Sequence, residues 1–302
     1  MPRINEMKND KTLILGSSGF LGGYFRKEFG ESAICHTSKS EVAATTNAES
    51  LVASLDTREE VKRFLNSTEF STIINCVALS DIDECERDPQ KASWLNAELP
   101  KVLAEECKVK GAKLVHISTD AVFSGKDSFS SETMQPSPKS VYGLSKYKGE
   151  TASLEENPNT LVCRVNFVGW NPRGKSLFNF FYSNLRDKKQ IKGFHDIYFT
   201  PLYARDTVEI ISGLTEGNQA GIFHVVGSER ISKFEFGQLV ARAMNKDRNL
   251  VERSSFLDST IANTRTADLS LSNVRIRELG MQIPTITSGI EALVKEADGF
   301  HE

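Results

Sequence analysis

Residues 12–22 read T-L-I-L-G-S-S-G-F-L-G, and this stretch decides the fold. Thr12–Leu15 is a compact apolar run that ends on glycine, and from Phe20 to Phe29 the apolar residues take up helical spacing. A short buried strand passing through glycines into a helix opens a βαβ unit. Each of Gly16, Gly19 and Gly22 has a physical reason to be glycine. Gly16 permits the tight turn, Gly19 lets backbone N–H groups approach a diphosphate, and Gly22 lets the helix pack close to the strand. The helix N-terminus then faces the negative charge. A tight βα turn without a ligand would use the same residues, so the triplet draws its weight from lying between a strand and a helix.

Outward from this stretch the pattern repeats. Strands are expected at Ile34–His36, Leu51–Leu55, Thr72–Val77, Lys113–Ser118 and Thr160–Val165. Helical stretches lie between them at Arg58–Leu65, at Gln90–Lys110 with an interruption at Pro100, and at Val141–Glu156. Apolar strands alternating with helices predict an α/β fold, a doubly wound parallel Rossmann sheet covered on both faces. Beyond Val165 the pattern loosens. Helices are expected at Lys175–Lys188, Ala204–Thr215, Phe234–Met244 and Gly289–Ala297, one more strand at Gly221–Val226, and an irregular polar stretch at Asn245–Ser272. The expected division is a dinucleotide-binding domain over 1–168, to which 204–228 returns. A smaller, interleaved C-terminal α/β substrate-binding domain then takes 169–203 and 229–302, because no Pro/Gly/Ser-rich linker separates the two.

The 302 residues are about two domains' worth at roughly 150 residues each. Thirty-seven Lys+Arg against forty Asp+Glu leave a net charge of −3, which gives no basic footprint for nucleic acid. No apolar run approaches a membrane span, and the first ten residues lack the apolar stretch of a signal peptide. The five cysteines are odd in number, widely spaced and without a C-x-x-C, as expected of free thiols in a reducing cytoplasm and not of a disulfide framework or a zinc site.

The spacing G-x-x-G-x-x-G resembles that of the extended short-chain dehydrogenase/reductases. Asp56-Thr57, after the third candidate strand, is similar to that family's adenine-contacting Asp; Asp56 is also placed to cap the helix that begins at Arg58. At the end of strand two an acid would bind a ribose 2′-hydroxyl, whereas basic or hydroxyl residues accept a 2′-phosphate. The run is Cys35-His36-Thr37-Ser38-Lys39 with the first acid at Glu41, so NADP(H) is expected over NAD(H), with Ser38 and Lys39 as the discriminating residues or else as plain loop.

Tyr142-Gly-Leu-Ser-Lys146 places a phenol and an ammonium four residues apart on one helical face. A nearby ammonium is expected to lower the Tyr142 pKa and suit it to proton transfer. Upstream, Val115-His116-Ile117-Ser118-Thr119-Asp120 puts hydroxyls at the carboxyl end of a parallel strand, where open α/β sheets hold their active sites. Thr119, Tyr142 and Lys146 together resemble the catalytic set of the short-chain family. The segments 75–86, 94–96, 115–125, 138–150 and 161–165 are similar to those of the dTDP-4-dehydrorhamnose reductase family and related sugar-nucleotide enzymes.

That resemblance implies reduction of the 4-keto group of a nucleotide-linked deoxysugar, with Tyr142 giving a proton to the C4 oxygen, Thr119 hydrogen-bonding it and Lys146 holding the nicotinamide ribose. It implies cofactor contacts at Gly16, Ser18, Gly19, Phe20 and Leu21, at Ser38, Lys39, Asp56 and Thr57, and at Val77, Ala78, Tyr142, Lys146 and Val165. Substrate contacts are implied at Ser80, Asp120, Phe167 and Asn179, with no metal. The partner is a nucleotide-diphosphate sugar, with no nucleic acid or membrane, and the family's dimers make a homodimer the expected assembly. The departures fall on substrate-facing positions: Phe167 stands where the family has Trp, and the R-P near the C-terminus is absent from Ala262-Asn-Thr-Arg265-Thr.

Other readings follow from the same residues. A dehydratase would need a second acid/base group where Ala121 stands. A 4-epimerase uses the same Thr, Tyr and Lys. One branch of the fold resembles the regulatory subunit of methionine adenosyltransferase, which binds NADP and a partner enzyme without turnover. Trp94, Trp170 and His116 read as packing residues, and Arg164 and Arg205 as diphosphate contacts or surface ion pairs.

Overall fold

The computed structural model describes residues 11–38, 48–171, 173–257 and 266–299. They form two compact units. The first takes the chain up to Val122, then Pro136–Arg164 and Val208–Phe223; the second takes Phe123–Gln135, Val165–Thr207 and the chain from His224 onward.

The first unit is built on seven strands: β1 (Thr12–Leu15), β2 (Ala33–Thr37), β3 (Glu49–Val52), β4 (Thr72–Asn75), β5 (Lys113–Thr119), β6 (Leu161–Val165) and β7 (Gly221–Val225). Their order, β7-β6-β5-β4-β1-β2-β3, is that of a Rossmann-type sheet, and the registered pairs β1–β2, β1–β4, β2–β3 and β4–β5 are parallel. Every residue of β1, β2, β4 and β6 is buried. That is why these runs are mostly apolar and do not alternate: helices cover both faces, and the few polar residues among them are buried as well. Register then aligns the strand ends. Leu15 lies beside Asn75, and Asn75 beside His116, so three adjacent carboxyl ends meet at one edge.

The helices of this unit are α1 (Phe20–Phe29), α2 (Arg58–Asn66), α3 (Ile82–Arg87), α4 (Pro89–Ser93), α5 (Leu99–Lys110) and α6 (Val141–Glu156). Helix α2 starts in a capping box: the Thr57 hydroxyl accepts from the Glu60 N–H, and the Glu60 carboxylate accepts from the Thr57 N–H. The cap is therefore Thr57 and not Asp56, which stands one residue before the cap. The expected break at Pro100 also moves. Proline sits harmlessly in the first turn of α5, and the interruption is a π-helical turn at Trp94–Glu98. Leu13, Leu15, Ile73 and Leu114 of the sheet pack with Leu99, Val102 and Leu103 of α5 to form the core of this half.

In the second unit, α7 (Leu177–Arg186), the first turn of α8 (Ala204–Glu216), α9 (Lys233–Ala243), α10 (Val274–Glu278) and α11 (Ile286–Asp298) surround short two-stranded pairs. An aromatic cluster joins α7 to α9, with Phe236 5.9 Å from Phe181 and 5.8 Å from Phe199 between ring centres. The stretch expected to be irregular holds a strand, Val251–Ser254, parallel to Ile191–Phe194. Its sequence, V-E-R-S, hid it from a reading based on apolar runs: Val251 alone is buried, and the exposed Glu252 and Arg253 point to opposite faces. Phe123–Gln135 groups with this unit although it lies within the expected 1–168 domain. The cause is backbone pairing: Ser130 N–H donates to Ser270 O at 3.0 Å, and Ser272 N–H donates to Ser130 O at 2.9 Å. Among the described residues no helix is long and apolar enough to cross a membrane.

Candidate active site

The loop between β1 and α1 uses Gly16 and Gly22 as the sequence suggests. Gly16 has φ +75°, and a Cβ on Gly22 would lie 2.2 Å from the Gly16 carbonyl oxygen, so helix and strand meet at a distance only hydrogen allows. Ser17 ties the loop to β2 by donating both its N–H and its hydroxyl to His36 O, each at 3.0 Å. Helix α1 begins at Gly19 with no side-chain cap and no acidic residue in its first turn. Ser18 and Gly19 are exposed. An uncapped helix start beside small, exposed residues has the room and the N–H donors that a dinucleotide diphosphate requires, so the residues present fit such a group.

At the end of β2, Thr37 is buried and Ser38 exposed, while Lys39 lies outside the described residues. His36 is buried against Phe64, with Nε2 2.9 Å from Ala53 O. Asp56 is exposed and accepts from the Ser54 hydroxyl at 2.8 Å. Thr57 is engaged as the cap described above.

Helix α6 is held tightly where it carries Tyr142 and Lys146. The Ser140 hydroxyl caps it by accepting from Gly143 N–H at 3.1 Å. One face presses on the π turn, where a Cβ on Gly149 would come within 2.0 Å of Asn96 O. Tyr142 packs beside Leu79, Cys85 and Ala92, and its side chain hydrogen-bonds with Thr119. Thr119 in turn donates to Asp120 Oδ1 at 3.1 Å and accepts from Ala121 N–H at 3.2 Å. One turn along α6, Lys146 is 2% exposed and donates to Ile117 O at 2.6 Å, with His116 Nε2 at 3.4 Å. Thr119, Asp120, Tyr142 and Lys146 thus gather at the carboxyl end of β5.

One electrostatic expectation is reversed. The Tyr142 phenol is not lowered but pushed up to about 12, chiefly by burial and further by Asp120 and Cys85, against the Thr119 hydrogen bond. Lys146 does not lower it, because Nζ is directed at the β5 backbone. Burial pushes Lys146 itself down to about 8, with Glu150 and Cys76 acting the other way.

Four residues not singled out for this region hold it in shape. Asn96 clamps the loop after β4: its Oδ1 accepts from Leu79 N–H and its Nδ2 donates to Leu79 O, both at 2.9 Å. Asn75 and His116 lie side by side with Nδ2 3.2 Å from Nδ1. Glu150 accepts from the Arg164 guanidinium (2.7 Å from Nη2, 3.0 Å from Nε) and from the Ser118 hydroxyl at 2.5 Å. Arg164 is therefore neither a diphosphate contact nor a surface ion pair, since both partners are 1% exposed. A polar residue in an otherwise apolar strand or helix was the available signal for each.

With this geometry in place, a comparison decides the family. The family model described as "RmlD substrate binding domain" matches residues 10–298. The chain belongs to the RmlD family. It is 33% identical over 243 residues to "Probable low-salt glycan biosynthesis reductase Agl14" of Haloferax volcanii, covering 78% of this chain and 80% of that one. It is 28% identical over 294 residues to methionine adenosyltransferase 2 subunit beta of Mus musculus, covering 94% and 87%. A solved structure titled as a hypothetical dTDP-4-dehydrorhamnose reductase from Sulfolobus tokodaii superposes with a TM-score of 0.81 at 30% identity, covering 92% of this chain and 98% of that one.

In this RmlD-family chain the remaining expected site residues sit as follows. Ala78 and Ser80 are exposed in the loop after β4, and Val77 is half-buried with its N–H donated to Asn75 Oδ1 at 3.1 Å. Val165 ends β6, buried. Phe167 belongs to the second unit, in a short pair with Leu202. Asn179 also lies there, 3% exposed, its Oδ1 accepting from Asn171 N–H at 2.9 Å and from the Ser176 hydroxyl, so that oxygen serves the turn before α7. Trp94 packs in the first unit's core and donates to Leu55 O at 2.7 Å, and Trp170 packs on Tyr182 at 5.6 Å.

Proposed function

We propose that this chain reduces the 4-keto group of a nucleotide-linked deoxysugar with a reduced nicotinamide cofactor. The observation that carries the reading is the gathering of Thr119, Tyr142 and Lys146 at the carboxyl end of β5 in a member of the RmlD family. The reductase names of two relatives support it. When bound, the cofactor supplies hydride. The loop Gly16–Leu21 and the start of α1 would hold its diphosphate, with Asp56, Val77 and Ala78 along the adjoining strand ends and Lys146 at the ribose. Tyr142 holds a proton at its phenolic oxygen at neutral pH, as a donor to a developing alkoxide must. Thr119 orients that hydroxyl, and Asp120 fixes Thr119. Phe167, Asn179 and the rest of the second unit are assigned to substrate choice, and Ser80 with Asp120 to the sugar.

NADP(H) is the preferred cofactor in this reading, because the sequence after β2 runs Thr37-Ser38-Lys39 with the first acid only at Glu41. The same reading carries a cytoplasmic homodimer, which mass measurement in solution and cell fractionation test. A panel of nucleotide-linked 4-keto sugars with NADH and NADPH, followed at 340 nm and by product NMR, tests the activity. Turnover should appear with at least one sugar and fall roughly 10²–10⁴-fold in Tyr142→Phe. No oxidation of either cofactor with any member of the panel refutes it. The regulatory-subunit reading is favoured by the long match to methionine adenosyltransferase 2 subunit beta. It leads if Tyr142→Phe leaves the protein's biological activity intact.

A further inference from the structure

The groups around Lys146 form a directed chain of hydrogen bonds. It begins at a backbone amide whose direction is beyond doubt: Val77 N–H donates to Asn75 Oδ1 at 3.1 Å. This orients the Asn75 carboxamide, because the reverse rotamer would set its NH2 against an N–H. Asn75 Nδ2 is therefore the group that faces His116 Nδ1 at 3.2 Å, and an amide nitrogen can only donate. His116 Nδ1 must accept, so the single proton of the neutral ring is on Nε2. His116 is fully buried and its ring is kept neutral, first by desolvation and second by Lys146. Nε2–H then points at Lys146 Nζ, 3.4 Å away. An ammonium has three N–H donors and no lone pair, and would meet this proton donor to donor. A neutral amine accepts it and still donates to Ile117 O at 2.6 Å.

We propose that Asn75 and His116 are positioning residues whose relay, started by the Val77 amide, presents a hydrogen-bond donor to Lys146 and so opposes the charged form of that lysine in the cofactor-free protein. The relay starts at a backbone amide that cannot release its proton and involves only buried side chains, so it tunes Lys146 and is not a path for protons to solvent. The titratable and charged groups around Nζ are few. Cys76 follows β4, His116 is on β5, and Glu150 is one turn further along α6, paired with Arg164 of β6. Tyr142, with Asp120 beyond it, precedes Lys146 by one turn. Burial already pushes Lys146 down to about 8, and the relay acts in the same direction. Its use in turnover rests on the reductase reading; the hydrogen-bond polarity does not.

The relay can be reversed with almost no change of shape. In Asn75→Asp one carboxylate oxygen still accepts from Val77 N–H, while the other requires a proton from His116 Nδ1. The ring proton moves to Nδ1, and Nε2 becomes an acceptor for the Lys146 ammonium. The test uses the full chain without cofactor or substrate, with 15N-labelled histidine and 13Cε-labelled lysine read by NMR. Signals are assigned with His116→Gln and Lys146→Met. The wild type should show His116 neutral with its proton on Nε2, and one lysine titrating two or more pH units below the rest. Asn75→Asp should move the His116 proton to Nδ1 and raise the Lys146 midpoint by at least one pH unit, a tenfold change in proton affinity. His116→Gln, which can turn its oxygen to Nζ, should raise it too. A wild-type His116 protonated on Nδ1, or charged at neutral pH, overturns the proposal even if neither variant folds, as does a Lys146 midpoint that both variants leave unchanged. These readouts need no turnover, so a chain that reduces no sugar could still carry the relay, and a working reductase could lack it.

Discussion

Replacing Glu150 by Gln keeps the size of the side chain and removes its charge. In the wild type the carboxylate accepts three contacts of 2.7–3.2 Å from Arg164 and one of 2.5 Å from the Ser118 hydroxyl, and Glu150 and Arg164 are each 1% exposed. Gln offers one acceptor oxygen, and its NH2 group meets the guanidinium donor to donor. The Arg164 guanidinium stays buried between β6 and α6 and loses the carboxylate that pairs with it. Breaking one side of a buried pair costs about 3–5 kcal/mol. That is roughly two to four powers of ten in the folding equilibrium at 1.36 kcal/mol per decade. Surface ion pairs in the same chain, such as Lys11–Glu69 at 3.1 Å with both partners exposed, contribute about 0–1 kcal/mol. The assay is urea unfolding followed by circular dichroism, comparing wild type, Glu150→Gln, Arg164→Met and the double variant Glu150→Leu/Arg164→Met. Each single variant should lose about 3–5 kcal/mol, and the double variant should recover most of it, because it buries no charge. The reasoning is refuted if Glu150→Gln loses under about 1 kcal/mol, as for a solvated pair, or if the double variant is as unstable as the sum of the singles.

Gly22→Ala places a methyl group 2.2 Å from the Gly16 carbonyl oxygen. The helix must retreat, costing about 1–3 kcal/mol as overpacking does, and NADPH titration should show weaker binding than wild type. Asn96→Ala leaves the buried Leu79 N–H unsatisfied and takes one of two side-chain donors from Leu79 O, which keeps the Cys85 thiol at 3.3 Å. Urea unfolding should report a loss of about 1–3 kcal/mol, and an unchanged midpoint would refute the clamp. Lys146 binds its proton less tightly in the folded chain (about 8) than when unfolded (10.5). The wild type should therefore gain stability relative to Lys146→Met as pH rises from about 8 to 10.5, by about 3 kcal/mol in all, because the unfolded state holds the extra proton across that window. A flat difference between the two proteins over this range contradicts a Lys146 whose charged form is disfavoured by burial.

The sequence by itself determined the elements whose causes are local. The strand–glycine–helix opening, the helix from Val141 to Glu156 and the apolar strands were legible because close approach needs glycine and a doubly covered sheet needs unbroken apolar runs. The Tyr142/Lys146 spacing was legible because a helix repeats its face every four residues. What the tertiary structure alone decided lies between elements. Phe123–Gln135 joined the second unit because its backbone partners, Ser270 and Ser272, lie some 140 residues away along the chain. Arg164 turned inward to Glu150, and Lys146 turned to Ile117 O and His116 and not to the Tyr142 hydroxyl. Hydrogen-bond direction and burial are properties of register: once β4 and β5 align Asn75 with His116, two polar residues that look incidental in the sequence become neighbours of Lys146.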